Sequence, residues 1–175
     1  MSPTESFKKL GYACIENVLT DKQCTEFAAE VLYWKDENRL LDEREDYFYE
    51  NSWGKSNMPG TYDVLLDVQP RIEDILQVRM KPANTYARVY YKGGLLRKHI
   101  DRNGLDYTMS ITLFSNVGRD WPLWCKDLNG DEVPLTIPRG AGGIMYGTKM
   151  LHWRNLLECE EDQFVVQMFF HWSFV

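Results

Sequence analysis

His99 and Asp101 stand one residue apart near the middle of the chain. In a β-strand, residues i and i+2 project to the same face, so an imidazole and a carboxylate would enter the same space. Two such groups leave a metal site incomplete. A third donor would complete a facial set of two His and one carboxylate, which suits non-haem Fe(II) and leaves positions open for reactants. His152 lies 51 residues beyond Asp101, in another strand-like run. Taken alone, a His-x-Asp pair equally suits a surface turn or a structural hydrogen bond. Its surroundings, a Tyr-rich strand and a Gly-Gly loop before it, favour the metal.

The ordered motifs resemble a known family. Tyr90-x-x-Gly93-Gly94-x-x-x-x-His99-x-Asp101 is similar to the iron motif of the prolyl 4-hydroxylase-like branch of the 2-oxoglutarate/Fe(II) dioxygenases. Gly143-Ile144-Met145-Tyr146, His152 and the run from Gln163 to His171 resemble its closing strands. Gly11 to Thr20 resembles its opening strand. The resemblance implies an oxidative decarboxylase that turns 2-oxoglutarate into succinate and CO2 while hydroxylating a second substrate. That substrate would be a prolyl or lysyl side chain in a peptide, or a small amino-acid-like molecule. It implies His99, Asp101 and His152 as Fe(II) ligands, with ascorbate as an accessory reductant. Asp101 favours hydroxylation, because halogenating variants of such sites give up the carboxylate.

The distal carboxylate of 2-oxoglutarate needs a buried cation. The family places a Lys on the last long strand, and alignment puts Gln163 there. Arg154, two residues past His152, would share its interior face and is the expected replacement. Arg88 is the runner-up. Tyr90 could donate its hydroxyl to the same carboxylate, and Gln163 could add a neutral contact. The competing role for Arg154 is a surface salt bridge with Glu158, Glu160 or Glu161.

Composition is consistent with one domain spanning residues 1–175. Hydrophobic residues make up 44% and aromatics 14%, which excludes a disordered chain. A net charge of −6 argues against a nucleic-acid partner. No run reaches the length of a membrane span. The four Cys form no C-x-x-C pair. Free thiols, Fe(II) and the absence of an apolar leader point to the cytoplasm. No phosphate-loop or nucleophile-elbow motif occurs. Oligomeric state is not legible.

The elements that must position the site follow from pattern. Residues 11–19 read as a strand. Thr20 and Gln23 have capping-box spacing before a helix running to about Trp34 or Lys35. Residues 36–60 read as a long aromatic loop with room for a short strand, and residues 42–57 as a lid carrying Tyr47 and Trp53. A second helical pattern over 64–76 should break at Pro70. From Pro82 onward the chain is strand-like, with an Asn129-Gly130 hairpin read as type I′. Trp121 and Trp124 read as packing residues. In strands 86–91, 107–114 and 163–172, one face is apolar and the other mixed polar. Either a solvated sheet face or a polar barrel interior explains this. The expected fold is α+β, mainly β: a double-stranded β-helix, a jelly-roll or cupin-like barrel, with N-terminal helices on its major sheet. His171, about 26 Å along the strand from Gln163, reads as structural, near the rim. Two rival readings remain: a cupin-like metalloprotein that uses no 2-oxoglutarate, and a non-catalytic jelly-roll binding module.

Overall fold

The computed structural model describes residues 1–42 and 49–175. Its elements in order are α1 (Pro3–Leu10), β1 (Tyr12–Ile15), α2 (Asp21–Asp36), β2 (Leu41–Asp42), β3 (Tyr49–Ser56), α3 (Thr61–Leu76), β4 (Met80–His99), β5 (Tyr107–Ser115), β6 (Leu123–Lys126), β7 (Glu132–Leu135), β8 (Gly142–Tyr146), β9 (His152–Arg154) and β10 (Phe164–Phe174). Spatial order along the sheet is β1-β8-β5-β10-β4-β9-β6-β7, with β3 added to β4 and β2 to β3. All strand pairs between these elements are antiparallel. This is a double-stranded β-helix with helices packed on its larger sheet.

β4 links the two halves of the barrel. Its first part pairs with β10, its end pairs with β9, and β3 runs beside it from Tyr86 to Leu96. The expected Gly-Gly loop is a bulge within this one strand: Gly93 takes φ 77°, and the β3 register slips opposite it. A Cβ at Gly94 would sit 2.8 Å from the Tyr91 carbonyl oxygen, so a side chain there is sterically blocked.

The two strand faces are both buried. Val89, Met109, Ile111, Val166, Met168, Phe170 and Trp172 form the core between sheet and helices. On the opposite face, Arg88, Ser110 and Gln167 are each 1% exposed. A solvated sheet face would leave them open to water, so the polar face is the barrel interior.

The structure corrects several sequence expectations. α1 adds a helix ahead of the opening strand, with Ser2 and Glu5 forming a capping box and Pro3 in the first turn. The opening strand is only Tyr12–Ile15, because Gly11 caps α1 in the left-handed conformation and a turn follows Ile15. α3 continues through Pro70. Pro70 and Leu66, whose carbonyl loses its helical donor there, are both exposed, so water can take that carbonyl. The short strand expected within residues 36–60 is β3, eight residues long and paired with β4. The 127–131 hairpin is longer than a two-residue turn. Asp127 N–H donates to the Asp131 carbonyl, and Gly130 holds φ 93°, giving a three-residue loop with a glycine bulge.

Candidate metal centre

His99 ends β4 and His152 begins β9, and the two are direct partners across the ladder. Their rings are tilted at 52° to each other with centroids 4.3 Å apart. Asp101 follows two residues later, held by its own N–H, which donates to the Gly147 carbonyl at 2.8 Å. Thr108 donates its hydroxyl to Asp101 Oδ2. The other oxygen, Oδ1, lies 3.5 Å from His99 Nε2 and 3.6 Å from His152 Nε2. One donor atom from each of the three residues falls within 4.8 Å of the others.

The donor set fits a divalent metal in detail. His99 Nδ1 lies 2.8 Å from the Arg97 carbonyl, and His152 Nδ1 lies 2.9 Å from the Met150 carbonyl. A carbonyl only accepts, so each Nδ1 carries the proton and each Nε2 offers its lone pair to the shared space. Burial alone would raise the Asp101 pKa. The two imidazoles outweigh it and hold the carboxyl well below its usual range, so it stays anionic. Burial pushes His152 down, while the Asp101 carboxylate pushes it up more strongly. A cation in this space takes the place of that proton.

Gly147 is part of the same device. A Cβ there would stand 2.5 Å from Thr108 Oγ1 and 2.6 Å from the Leu105 carbonyl, and would overlap Asp101 Oδ2. Gly147→Ala is therefore expected to displace the carboxylate and weaken metal binding by about 10–100-fold. Titration calorimetry with Mn(II) or Zn(II) measures this. Wild-type affinity in a folded Gly147→Ala protein would contradict the geometry.

The triad borders a cavity of about 760 Å³, whose wall includes Ser110, Leu96, Leu123, Asn84 and His171. Arg154 projects from β9 into the barrel and is 2% exposed. Its Nη1 donates to the Trp121 carbonyl at 2.6 Å, and its Nη2 to Ser110 Oγ at 3.1 Å and Gln167 Oε1 at 3.3 Å. Trp121 lies beneath the guanidinium at 4.8 Å, and the Tyr90 ring meets Trp121 edge-on at 4.9 Å. A surface salt bridge with Glu158, Glu160 or Glu161 does not suit the burial of Arg154: all three glutamates are exposed, and Glu158 pairs with Arg119 and Glu161 with Lys92. Arg88 is also interior, bonding Ser52 Oγ at 2.9 Å and the Tyr86 hydroxyl at 3.1 Å.

Gln163 does not join this group. It precedes β10, accepts from Glu160 N–H at 3.0 Å and donates to the Asn116 carbonyl at 3.2 Å, capping a surface turn. Gln167, four residues on, supplies the interior amide instead. His171 stands not at the barrel rim but in the cavity wall beside the triad. Burial, chiefly, pushes its ring down to about 4, so it is neutral near pH 7. Of the expected lid, Tyr47 lies outside the described residues. Trp53 packs edge-on to Tyr91 at 5.6 Å with Lys35 over its ring, away from the cavity. Ser56 and Asn57, at the end of β3 and just past it, do border the cavity.

No protein-family model matches the sequence, and no relative is detected among curated protein sequences. Solved structures do match. A Pseudomonas putida prolyl-4-hydroxylase is similar at TM-score 0.78 and 12% identity, covering 99% of this chain and 97% of that one. A Trichoplax adhaerens prolyl hydroxylase, solved with a peptide fragment of the hypoxia-inducible factor oxygen degradation domain, is similar at TM-score 0.73 and 12% identity, covering 98% and 87%. HygX from Streptomyces hygroscopicus, solved with nickel, 2-oxoglutarate and hygromycin B, is similar at TM-score 0.67 and 10% identity, covering 97% and 86%. The chain shares the fold of these structures and holds a His-Asp-His triad in its barrel. Among the described residues, no helix is long and apolar enough to cross a membrane.

Proposed function

We propose that the protein is an Fe(II)- and 2-oxoglutarate-dependent dioxygenase that hydroxylates a peptide or small-molecule substrate and releases succinate and CO2. The observation that carries this is the triad itself: two imidazoles with fixed tautomers and one ionised carboxylate, converging beside a cavity large enough for a cosubstrate and a reacting group. The oxygenase fold of the similar structures supports it. The bound iron supplies oxygen activation coupled to decarboxylation of the 2-oxo acid.

The chain's own residues do the rest. His99, Asp101 and His152 would hold the metal, their donor atoms converging at the cavity wall. Arg154 supplies the buried cation for the distal carboxylate, its fork already oriented by Trp121, Ser110 and Gln167. Tyr90 supports it by bracing Trp121. Leu96 and Leu123 make part of the wall apolar and help exclude water from the reacting centre. The four cysteines are free thiols, which fits a reducing compartment such as the cytoplasm. The whole of residues 1–175 serves as one domain in this reading.

The test is turnover with Fe(II), 2-oxoglutarate and ascorbate against a panel of peptides and amino-acid-like metabolites. Succinate should form in step with a product heavier than its substrate by one oxygen atom. Succinate formation that no panel member stimulates would remove the hydroxylase assignment for those classes.

A further inference from the structure

The loop that follows the metal carboxylate is pinned at both ends to one residue. Asp101 N–H donates to the Gly147 carbonyl at 2.8 Å, and Gly147 N–H donates to the Asp106 carbonyl at 2.9 Å. Between them, Leu105 N–H donates to the Arg102 carbonyl at 3.2 Å, and Gly104 turns the chain at φ 90°. Arg102 is thereby fixed one residue beyond the metal triad. It is exposed and also lines the cavity, so it stands at the mouth.

Histidines aside, Asp101 and Arg102 are the only carboxylate and the only cation among the described residues that line the cavity. Asp101 belongs to the triad. Asp106, the other acid of the loop, is engaged elsewhere: its oxygens accept from the Thr148 hydroxyl at 3.1 Å and from Phe174 N–H at 2.9 Å. Among the described residues, no hydrogen bond or ion pair engages the Arg102 side chain. The other described arginines each hold a carbonyl, a hydroxyl, a carboxylate or an aromatic ring. The Arg102 charge reaches into the cavity: burial chiefly holds the His171 ring neutral, and Arg102 acts on that ring in the same direction. The chain's net charge is −6, so this cation runs against the charge of the molecule as a whole. A lone cation at the mouth of a concave site draws anions to it.

We infer that Arg102 binds a carboxylate of the hydroxylated substrate, which makes the substrate acidic and disfavours a lysyl side chain. A guanidinium takes a carboxylate through two parallel hydrogen bonds. Adjacent Cα atoms lie about 3.8 Å apart, so an anion held by Arg102 sits within about 10 Å of the Asp101 carboxylate. The acid is then one or two residue lengths from the reacting carbon. This inference rests on reading the cavity as the oxygenase site.

The test is binding to the full-length protein loaded with Zn(II) and 2-oxoglutarate, which cannot turn over and in which Arg154 is already occupied. Saturation-transfer NMR follows matched pairs of probes: N-acetyl-L-proline and N-acetyl-L-alanine, each against its amide. A capped prolyl-aspartate dipeptide against its prolyl-asparagine counterpart presents the carboxylate from a side chain instead of a chain end. In at least one pair the acid should bind about tenfold more tightly than the amide. Arg102→Gln should remove that preference, and Arg102→Lys should keep part of it. Both variants alter an exposed side chain, so the fold is retained. No preference for the acid in any pair, or a preference that survives in Arg102→Gln, overturns the proposal. The 2-oxoglutarate titration reports separately. If 2-oxoglutarate does not bind, the oxygenase reading fails, while the acid–amide comparison in Arg102→Gln still decides the role of Arg102.

Discussion

His152→Ala is expected to abolish Fe(II) binding and 2-oxoglutarate consumption together. The residue is 3% exposed, and its Nε2 faces the same Asp101 oxygen as His99 Nε2. Removing it leaves one imidazole and one carboxylate, too few to fix a facial geometry. The loss of bound metal should lower succinate formation by about 10³-fold or more. Because the site is buried, the variant also leaves a void, so thermal unfolding is measured alongside. A folded His152→Ala protein that binds Fe(II) normally would show that the triad does not hold the metal.

Arg154→Met is expected to separate cosubstrate binding from metal binding. The guanidinium lies inside the barrel, where an unpaired carboxylate would be costly, and losing one member of a buried ion pair costs about 3–5 kcal/mol. The apparent affinity for 2-oxoglutarate should fall by about 10²–10³-fold, with Fe(II) still bound at the triad. Arg154→Lys should recover only part of this, since an ammonium cannot reproduce the planar fork. Arg88→Met is the internal comparison. Each arginine stands behind the cavity wall: Arg88 bonds Ser52 and the wall residue Tyr86, and Arg154 bonds the wall residue Ser110 and the interior amide of Gln167. Unchanged 2-oxoglutarate affinity in Arg154→Met, with a large loss in Arg88→Met, would move the anchor to Arg88.

The metal centre is largely legible in the sequence. Strand parity anticipates His99 and Asp101 on one side, although β4 ends at His99 and Asp101 is held there by its N–H to the Gly147 carbonyl. The order of the surrounding motifs brings in His152. Parity also separates a polar face from an apolar one, but it does not distinguish a barrel interior from a solvated face. Only burial of Arg88, Ser110 and Gln167 decides between those. The region proposed to anchor the cosubstrate is legible in part. Arg154 follows His152 at the interior spacing, whereas alignment without a register puts the amide at Gln163, four residues before Gln167. The same slip misplaces His171. Distance along the strand from Gln163 does not measure distance from the site, because the cavity follows the barrel interior, and its metal end lies at the His171 end of β10. A short strand is expected somewhere in residues 36–60, but the bounds of β3 are not legible because Asn51, Ser52, Gly54 and Lys55 carry no strand signature. Its place is set by pairing with β4, a tertiary effect outside local propensity. α1 does carry a local signal, the Ser2–Glu5 capping box, but its eight residues are too few for a clear apolar period.

The most direct test of the central claim is anaerobic addition of 2-oxoglutarate to the Fe(II)-loaded protein, followed by visible absorption. Chelation of the 2-oxo acid to iron held by His99, Asp101 and His152 predicts a new charge-transfer band that saturates with 2-oxoglutarate. The band should require far more 2-oxoglutarate in Arg154→Met and be absent in His152→Ala. Fe(II) bound at the triad with no band at any 2-oxoglutarate concentration would contradict the account and leave a metal-binding jelly roll that does not use this cosubstrate.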